Sequence, residues 1–176
     1  MYQKAVATYL RGLAIDKNST RLYFRLGVAY DKKGDRTSCI KEMKNVIRLD
    51  PEDANALNYL GYTYADLGMN LEEAEDLIMR AMKFKPDDGY ITDSLGWVYY
   101  KKGNYNKAIT TLEKANTLVP NDPILLEHLG DAFFKALDNE KALEYYKRSL
   151  KNKKKNTEGL EIKIERLKNK QAILTP

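Results

Sequence analysis

Four Leu-Gly pairs, with their glycines at Gly27, Gly61, Gly96 and Gly130, divide the chain into steps of 34, 35 and 34 residues. A self-similar period of this length is the mark of stacked helix-turn-helix units. No single unit can bury its own apolar face, so neighbours must stack into a solenoid. Each pair opens the same phrase: an aromatic three residues on, a small residue about twelve on, and a bulky apolar residue four later. The first copy reads Leu26, Gly27, Tyr30, Cys39, Met43, with Pro51 closing it; the second reads Leu60, Gly61, Tyr64, Ala74, Ile78, Pro86. The third is Leu95, Gly96, Tyr99, Ala108, Leu112, Pro120, and the fourth, Leu129, Gly130, Phe133, Ala142, Tyr146, lacks the proline. Such an architecture points to a binding scaffold rather than an enzyme.

These residues resemble the tetratricopeptide repeat family, whose pattern is W-x2-L-G-x2-Y, then A-x3-F, then P. Tyr23, Leu57, Thr92 and Leu126 stand where the family often has Trp, and Ile91 is expected to take up part of the packing that Thr92 leaves. The second repeat carries one extra residue around Met69-Asn70-Leu71. The resemblance implies an all-α, right-handed α-α superhelical solenoid, closed by a C-terminal capping helix. On this reading residues 1–19 are the second helix of a truncated repeat, because Ala5 and Tyr9 fall 34 residues before Cys39 and Met43. Full repeats follow at 20–53, 54–88, 89–122 and 123–156, then a cap at 157–171 carrying Leu160, Ile164 and Leu167, and a frayed tail at 172–176. A second helix without its first leaves apolar surface uncovered. The chain is therefore expected to belong to a longer array, the alternative being an irregular N-terminal cap. The third and fourth repeats also resemble the last repeats of long bacterial proteins of this family, many of them envelope-associated.

Within each repeat, apolar residues recur at three- and four-residue spacing, which places them on one helical face. Glycine and Asn-rich turns such as Lys33-Gly34-Asp35 and Lys102-Gly103-Asn104 stop one helix, and Asp or Asn starts the next. The glycine of each Leu-Gly pair sits mid-helix, where it costs about 1 kcal/mol against Ala. Close approach of the second helix is the expected compensation.

Catalytic and metal chemistry finds no support. The chain has one His and one Cys and lacks CxxC, HExxH or a Gly-rich phosphate loop. Cys39 belongs to the small packing column and His128 is expected on the surface or in the groove. Glu72-Glu73 and Asp87-Asp88 read as helix-start residues complementing the local dipole. No catalytic residue, metal site or cofactor is expected. Asn18-Ser19-Thr20 fits a glycosylation acceptor, but helix capping is the preferred reading. No stretch reaches the ~18–20 apolar residues of a membrane span, and no basic-then-apolar leader is visible. Localisation is left open: cytoplasmic by default, periplasmic or envelope-associated if the chain belongs to an exported protein.

The net charge of +5 resides in residues 151–176, which hold eight bases and three acids; the preceding residues balance. Lys153, Lys154 and Lys155 are candidate contacts to an anionic surface, nucleic acid or lipid, although a solvated linker is the commoner role of so short a run.

For a partner, the family's concave face is formed by residues about six and three before each Leu-Gly glycine and one, four and five after it. This gives Arg21, Phe24, Val28, Asp31 and Lys32 in the first repeat. In the later repeats it selects a strip of Asn58, Tyr62, Tyr90, Asp93, Trp97, Tyr100, Glu127, Asp131 and Phe134. Aromatics there would supply rigid contact area, with Trp97 expected to be exposed, and polar groups would fix register for a protein or peptide ligand. Chaperone-binding members of the family clamp a C-terminal carboxylate with Lys, Asn and Arg. Here those positions hold Phe24, Val28, Tyr59, Tyr90 and Ser94, or, one repeat along, Asn58, Tyr62, Ser94, Ile124 and His128, so neither register builds the clamp. The expected function is protein-protein interaction through the concave groove. Self-association through the uncovered N-terminal helix and recruitment to an anionic surface are the alternatives.

Overall fold

The computed structural model describes residues 2–174. Among the described residues the chain forms ten α-helices and no strand. It divides into two compact units, Met1–Pro86 and Asp87–Pro176. The first holds α1 (Tyr2–Ile15), α2 (Thr20–Lys32), α3 (Arg36–Leu49), α4 (Ala54–Leu67) and α5 (Leu71–Phe84). The second holds α6 (Gly89–Lys101), α7 (Tyr105–Leu118), α8 (Pro123–Lys135), α9 (Asn139–Asn152) and α10 (Glu158–Leu174). Helices α2 and α3, α4 and α5, α6 and α7, and α8 and α9 pair as the four complete repeats.

Side-chain caps fix where five of the ten described helices begin. Asp53 accepts from the backbone N–H of Ala56 at 2.9 Å, Asp88 from Tyr90 and Ile91 at 2.9 and 3.2 Å, and Asp122 from Ile124 and Leu125 at 2.9 and 3.1 Å. Asn70 and Asn104 occupy cap positions without a side-chain cap bond to the backbone. The same is true of Ser19, so the capping expected of Asn18-Ser19-Thr20 is not made by its side chain. The Asn18 N–H instead donates to the Asp16 carboxylate at 3.1 Å, and that local turn brings the chain into α2. Glu72 and Glu73 do lie in the first turn of α5.

The turn inside each repeat needs a left-handed residue. Gly34, Gly68 and Gly103 supply it with φ of 80°, 67° and 79°, whereas the fourth repeat places Leu137 there at φ 67°.

The mid-helix glycines work by close approach. A Cβ on Gly61 would lie 2.6 Å from Ile78 Cγ1 and 3.0 Å from the Ala74 carbonyl oxygen; on Gly130 it would lie 2.3 Å from the Tyr146 ring. Facing them, Cys39, Ala74, Ala108 and Ala142 are wholly buried. Burial pushes the Cys39 thiol up to about 11. Thr92, the poor filler of the tryptophan column, is buried beside Ile91 and donates its hydroxyl to the Asp88 carbonyl at 2.9 Å. Leu160, Ile164 and Leu167 bury the inner face of α10. That helix continues through Leu174, beyond the expected limit of the cap. The remainder of the expected frayed tail, 175–176, lies outside the described residues.

Candidate functional site

In the second unit, the first helices α6 and α8 carry the expected face at matching register positions. Its middle rows are not open to a ligand. Asp93 on α6 lies three residues before its glycine and is buried. Its carboxylate oxygens stand 3.0 and 3.2 Å from Nδ1 of His128 on α8. His128 is itself buried, correcting its expected place on the surface or in the groove. Burial pulls its imidazolium towards the neutral form. The charges of Asp93, then Asp131 and Glu127, outweigh this and raise its pKa above the ordinary 6.5.

Trp97 is the second correction. It was expected to be exposed, yet it is only 9% exposed. Its indole is stacked on Tyr100, with centroids 4.6 Å apart, and on His128, 4.2 Å away. The Lys101 ammonium lies 5.2 Å from its ring centroid. Position around a helix placed Trp97 on the concave side; the flat imidazole offered by the next helix covers it. Its buried Nε1 finds no hydrogen-bond partner among the described residues. Tyr100 remains half-buried, and burial, reinforced by the charge of Asp131, pushes its phenol up to about 12.

Glu127 and Asp131, on the next turns of α8, are held from within. Glu127 accepts from Lys153 at 2.9 Å and Lys163 at 3.0 Å; Asp131 accepts from Lys163 at 2.6 and 2.9 Å and from the Tyr146 hydroxyl at 2.7 Å. Burial would raise the Glu127 carboxyl, but bonds to the two lysines bring it below its ordinary value. Lys153 is thereby drawn back onto the protein, separating it from the exposed Lys154 and Lys155 with which it was grouped. Tyr146 and Lys163 are the members of this network that sequence reasoning did not place at the site. An acid pair on α8 followed by a basic cap was the available signal.

What stays open are the ends of the face. Tyr90 is 57% exposed and Ile124 56%, at equivalent positions on α6 and α8, and Phe134 is 40% exposed one turn beyond Asp131. In the first unit, Asn58 and Tyr62 on α4 are half-buried, and the buried Oδ1 of Asn58 has no hydrogen-bond partner among the described residues. Asp31 on α2 accepts from the Tyr59 hydroxyl at 2.9 Å and pairs with Arg36, which also reaches Asp66 at 2.9 Å. Among the described residues no group of three His, Cys, Asp or Glu side chains is arranged to hold a metal ion. No described helix is long and apolar enough to cross a membrane.

Comparison with known proteins bears on the family and the fold. Residues 96–136 match the TPR repeat pattern and residues 20–53 the tetratricopeptide repeat pattern. A TPR repeat-containing protein of Pseudomonas aeruginosa is 34% identical over 129 residues, covering 73% of this chain and 22% of that protein. This chain is a tetratricopeptide repeat protein. A thermophilic TPR protein of Thermus thermophilus superposes with a TM-score of 0.80 at 19% identity, over 94% of this chain and 90% of that one. One from Parabacteroides merdae gives 0.83 at 18% identity, over 97% and 66%. The tetratricopeptide fold is an interaction scaffold, and proteins that carry it generally mediate protein-protein contacts without catalysis. The chain spans between 14% and 22% of the length of three of its curated relatives.

Proposed function

We propose that this chain is a non-enzymatic interaction module that holds a peptide or partner subunit on the concave faces of its first helices. Exposed Tyr90, Ile124 and Phe134 are the anchors in the second unit; in the first unit, taken by itself, Asn58 and Tyr62 occupy the corresponding face of α4. The observation that carries this reading is the division of labour on α6 and α8. Their middle rows are tied into the Asp93–His128–Trp97 stack and the Glu127–Asp131–Lys163 network, while large apolar side chains stand exposed at either end. A rigid polar floor between apolar anchors lowers the ordering cost of binding. The pairing of Lys153 with Glu127 weighs against an anion-binding role for the lysine run. A photo-crosslinking amino acid at position 90 should capture a partner from lysate of the source organism, whereas the same group at exposed Thr110 on α7 should not. Equal capture at both positions would remove the groove assignment.

A further inference from the structure

The floor between the anchors of the second unit holds a group whose charge changes near neutral pH. His128 is the chain's one histidine, and it is buried. Its Nδ1 stands 3.0 and 3.2 Å from the two Asp93 oxygens, and its ring lies 17° from parallel with the Trp97 indole, 4.2 Å between centroids. Charged groups face this contact from α6, α8, α10 and the segment after α9. Asp93 comes from α6, Glu127 and Asp131 from α8 itself, Lys153 from the segment after α9, and Lys163 from α10. The Lys101 ammonium of α6 lies on the Trp97 ring; α9 adds the Tyr146 hydroxyl on Asp131, and α7 the Tyr105 ring beside Tyr100.

The charges sort into pairs. Lys153 and Lys163 are committed to Glu127 and Asp131. Asp93 is left with His128, and its charge is balanced only while the imidazole carries its second proton. A buried carboxylate without a countercharge is costly, and entry of water or movement of a helix relieves that cost. An imidazolium also holds the indole face as a cation, which a neutral ring does not. Loss of one proton therefore weakens both contacts that join α6 to α8 through this cluster. Each of these helices carries an anchor one turn away: Tyr90 precedes Asp93 by three residues, and Ile124 precedes His128 by four. We propose that His128 is a proton-operated latch: protonated, it holds α6 to α8 through Asp93 and Trp97 and fixes the spacing of Tyr90 and Ile124, and deprotonated, it admits water between the helices and releases that spacing. Its consequence, ligand binding that falls as pH rises, rests on the face assigned above; its operation does not. Asp93, Asp131 and Glu127 hold the proton beyond the ordinary histidine range, so the latch opens on the alkaline side.

The test uses the 176-residue chain without a ligand, where one histidine and one tryptophan give each probe a single source. NMR of the imidazole Cε1–H between pH 6 and 9 should show one titration, and Trp97 emission should rise with the same midpoint, since a stacked imidazolium quenches an excited indole more than a neutral imidazole does. Amide exchange, corrected for the intrinsic effect of pH, should accelerate by about tenfold or more in α6 and α8 across that midpoint and stay unchanged in α2 and α3. Asp93→Asn should lower the midpoint and keep exchange slow at both ends of the range, because no charge is then stranded. His128→Gln should exchange fast at both ends. Asp93→Asn is nearly isosteric, so the test stands even if His128→Gln does not fold. An imidazole titration that exchange in α6 and α8 fails to follow would overturn the latch, as would an Asp93→Asn chain that opens like wild type. Absence of any titration between pH 6 and 9 would overturn it as well. No readout involves a ligand, so the latch can fail while the face at Tyr90, Ile124 and Phe134 stands, and crosslinking at position 90 can fail while the latch holds.

Discussion

Gly130→Ala tests whether the repeat is built on helix contact too close for a methyl group. The added Cβ would lie 2.3 Å from Cδ1, 2.4 Å from Cε1 and 3.1 Å from Cγ of Tyr146. That ring cannot swing aside freely. It is 2% exposed, its hydroxyl donates to Asp131 at 2.7 Å, and the Lys163 ammonium lies 5.3 Å from its centroid. Overpacking against a pinned ring costs about 3 kcal/mol, and replacing a mid-helix glycine by alanine recovers about 1 kcal/mol. The expected net loss is about 2 kcal/mol, which lowers the urea midpoint by about 1 M for a slope near 2 kcal/mol/M. Gly27→Ala is the control, because its Cβ would come too close only to the flexible terminal methyl of Met43, at 2.8 Å, while the Cys39 carbonyl oxygen at 3.4 Å and Glu42 Cβ at 3.5 Å are ordinary contacts. Its cost and its propensity gain should nearly cancel. Gly159→Ala, with nothing within 4 Å, should be neutral or slightly stabilising. Urea titrations followed by circular dichroism and by the emission of Trp97, in the same unit as Gly130, would measure all three. A Gly130→Ala chain as stable as wild type, or less affected than Gly27→Ala, would refute the close-approach argument.

The buried His128–Asp93 pair makes stability depend on pH. Because folding raises the histidine pKa, its stabilisation is fully present below the unfolded value near 6.5 and is lost as pH rises through the higher folded value. Thermal melts from pH 6.5 upward should show a declining midpoint in wild type, and Asp93→Asn should flatten or reverse that slope. Leu137→Gly should raise stability by about 1 kcal/mol in urea denaturation, since it relieves a left-handed leucine that is 80% exposed. Lys163→Ala leaves Glu127 and Asp131 with one partner fewer each and should cost about 1 kcal/mol after solvent screening. Hydrogen exchange should place the loss of protection in α10.

The repeat period and the glycine offsets were enough to read the helix pairing, because a stacked array reduces long-range structure to one local rule used four times. The glycine and alanine columns followed from the same rule, and Cys39 sits where it places a small residue. The binding face was legible only as a register. Helical position put Trp97, Asp93 and His128 on or beside the concave side. Their exposure depended on which side chain the adjacent helix set against them, a pairwise fact that period alone does not contain. The stack of His128 on Trp97 and the reach of Lys163 from α10 back to Asp131 on α8 are such pairings. Lys153 illustrates the same limit, since a lysine in a basic run looks free until an acid such as Glu127 is placed 2.9 Å away. Tyr90 and Phe134 kept their expected accessibility because no neighbouring side chain covers them fully.

We propose that a protein ligand is held by the exposed ends of the first-helix faces. It is tested most directly by quantitative affinity purification from lysate of the source organism, comparing wild type with the Tyr90→Ala/Phe134→Ala variant at low and high salt. Loss of a partner with the variant, by about 2 kcal/mol or more in affinity, and its retention by wild type at high salt is the predicted result. Partners that ignore the variant but are stripped by salt would contradict the account and move binding to the basic C-terminal segment.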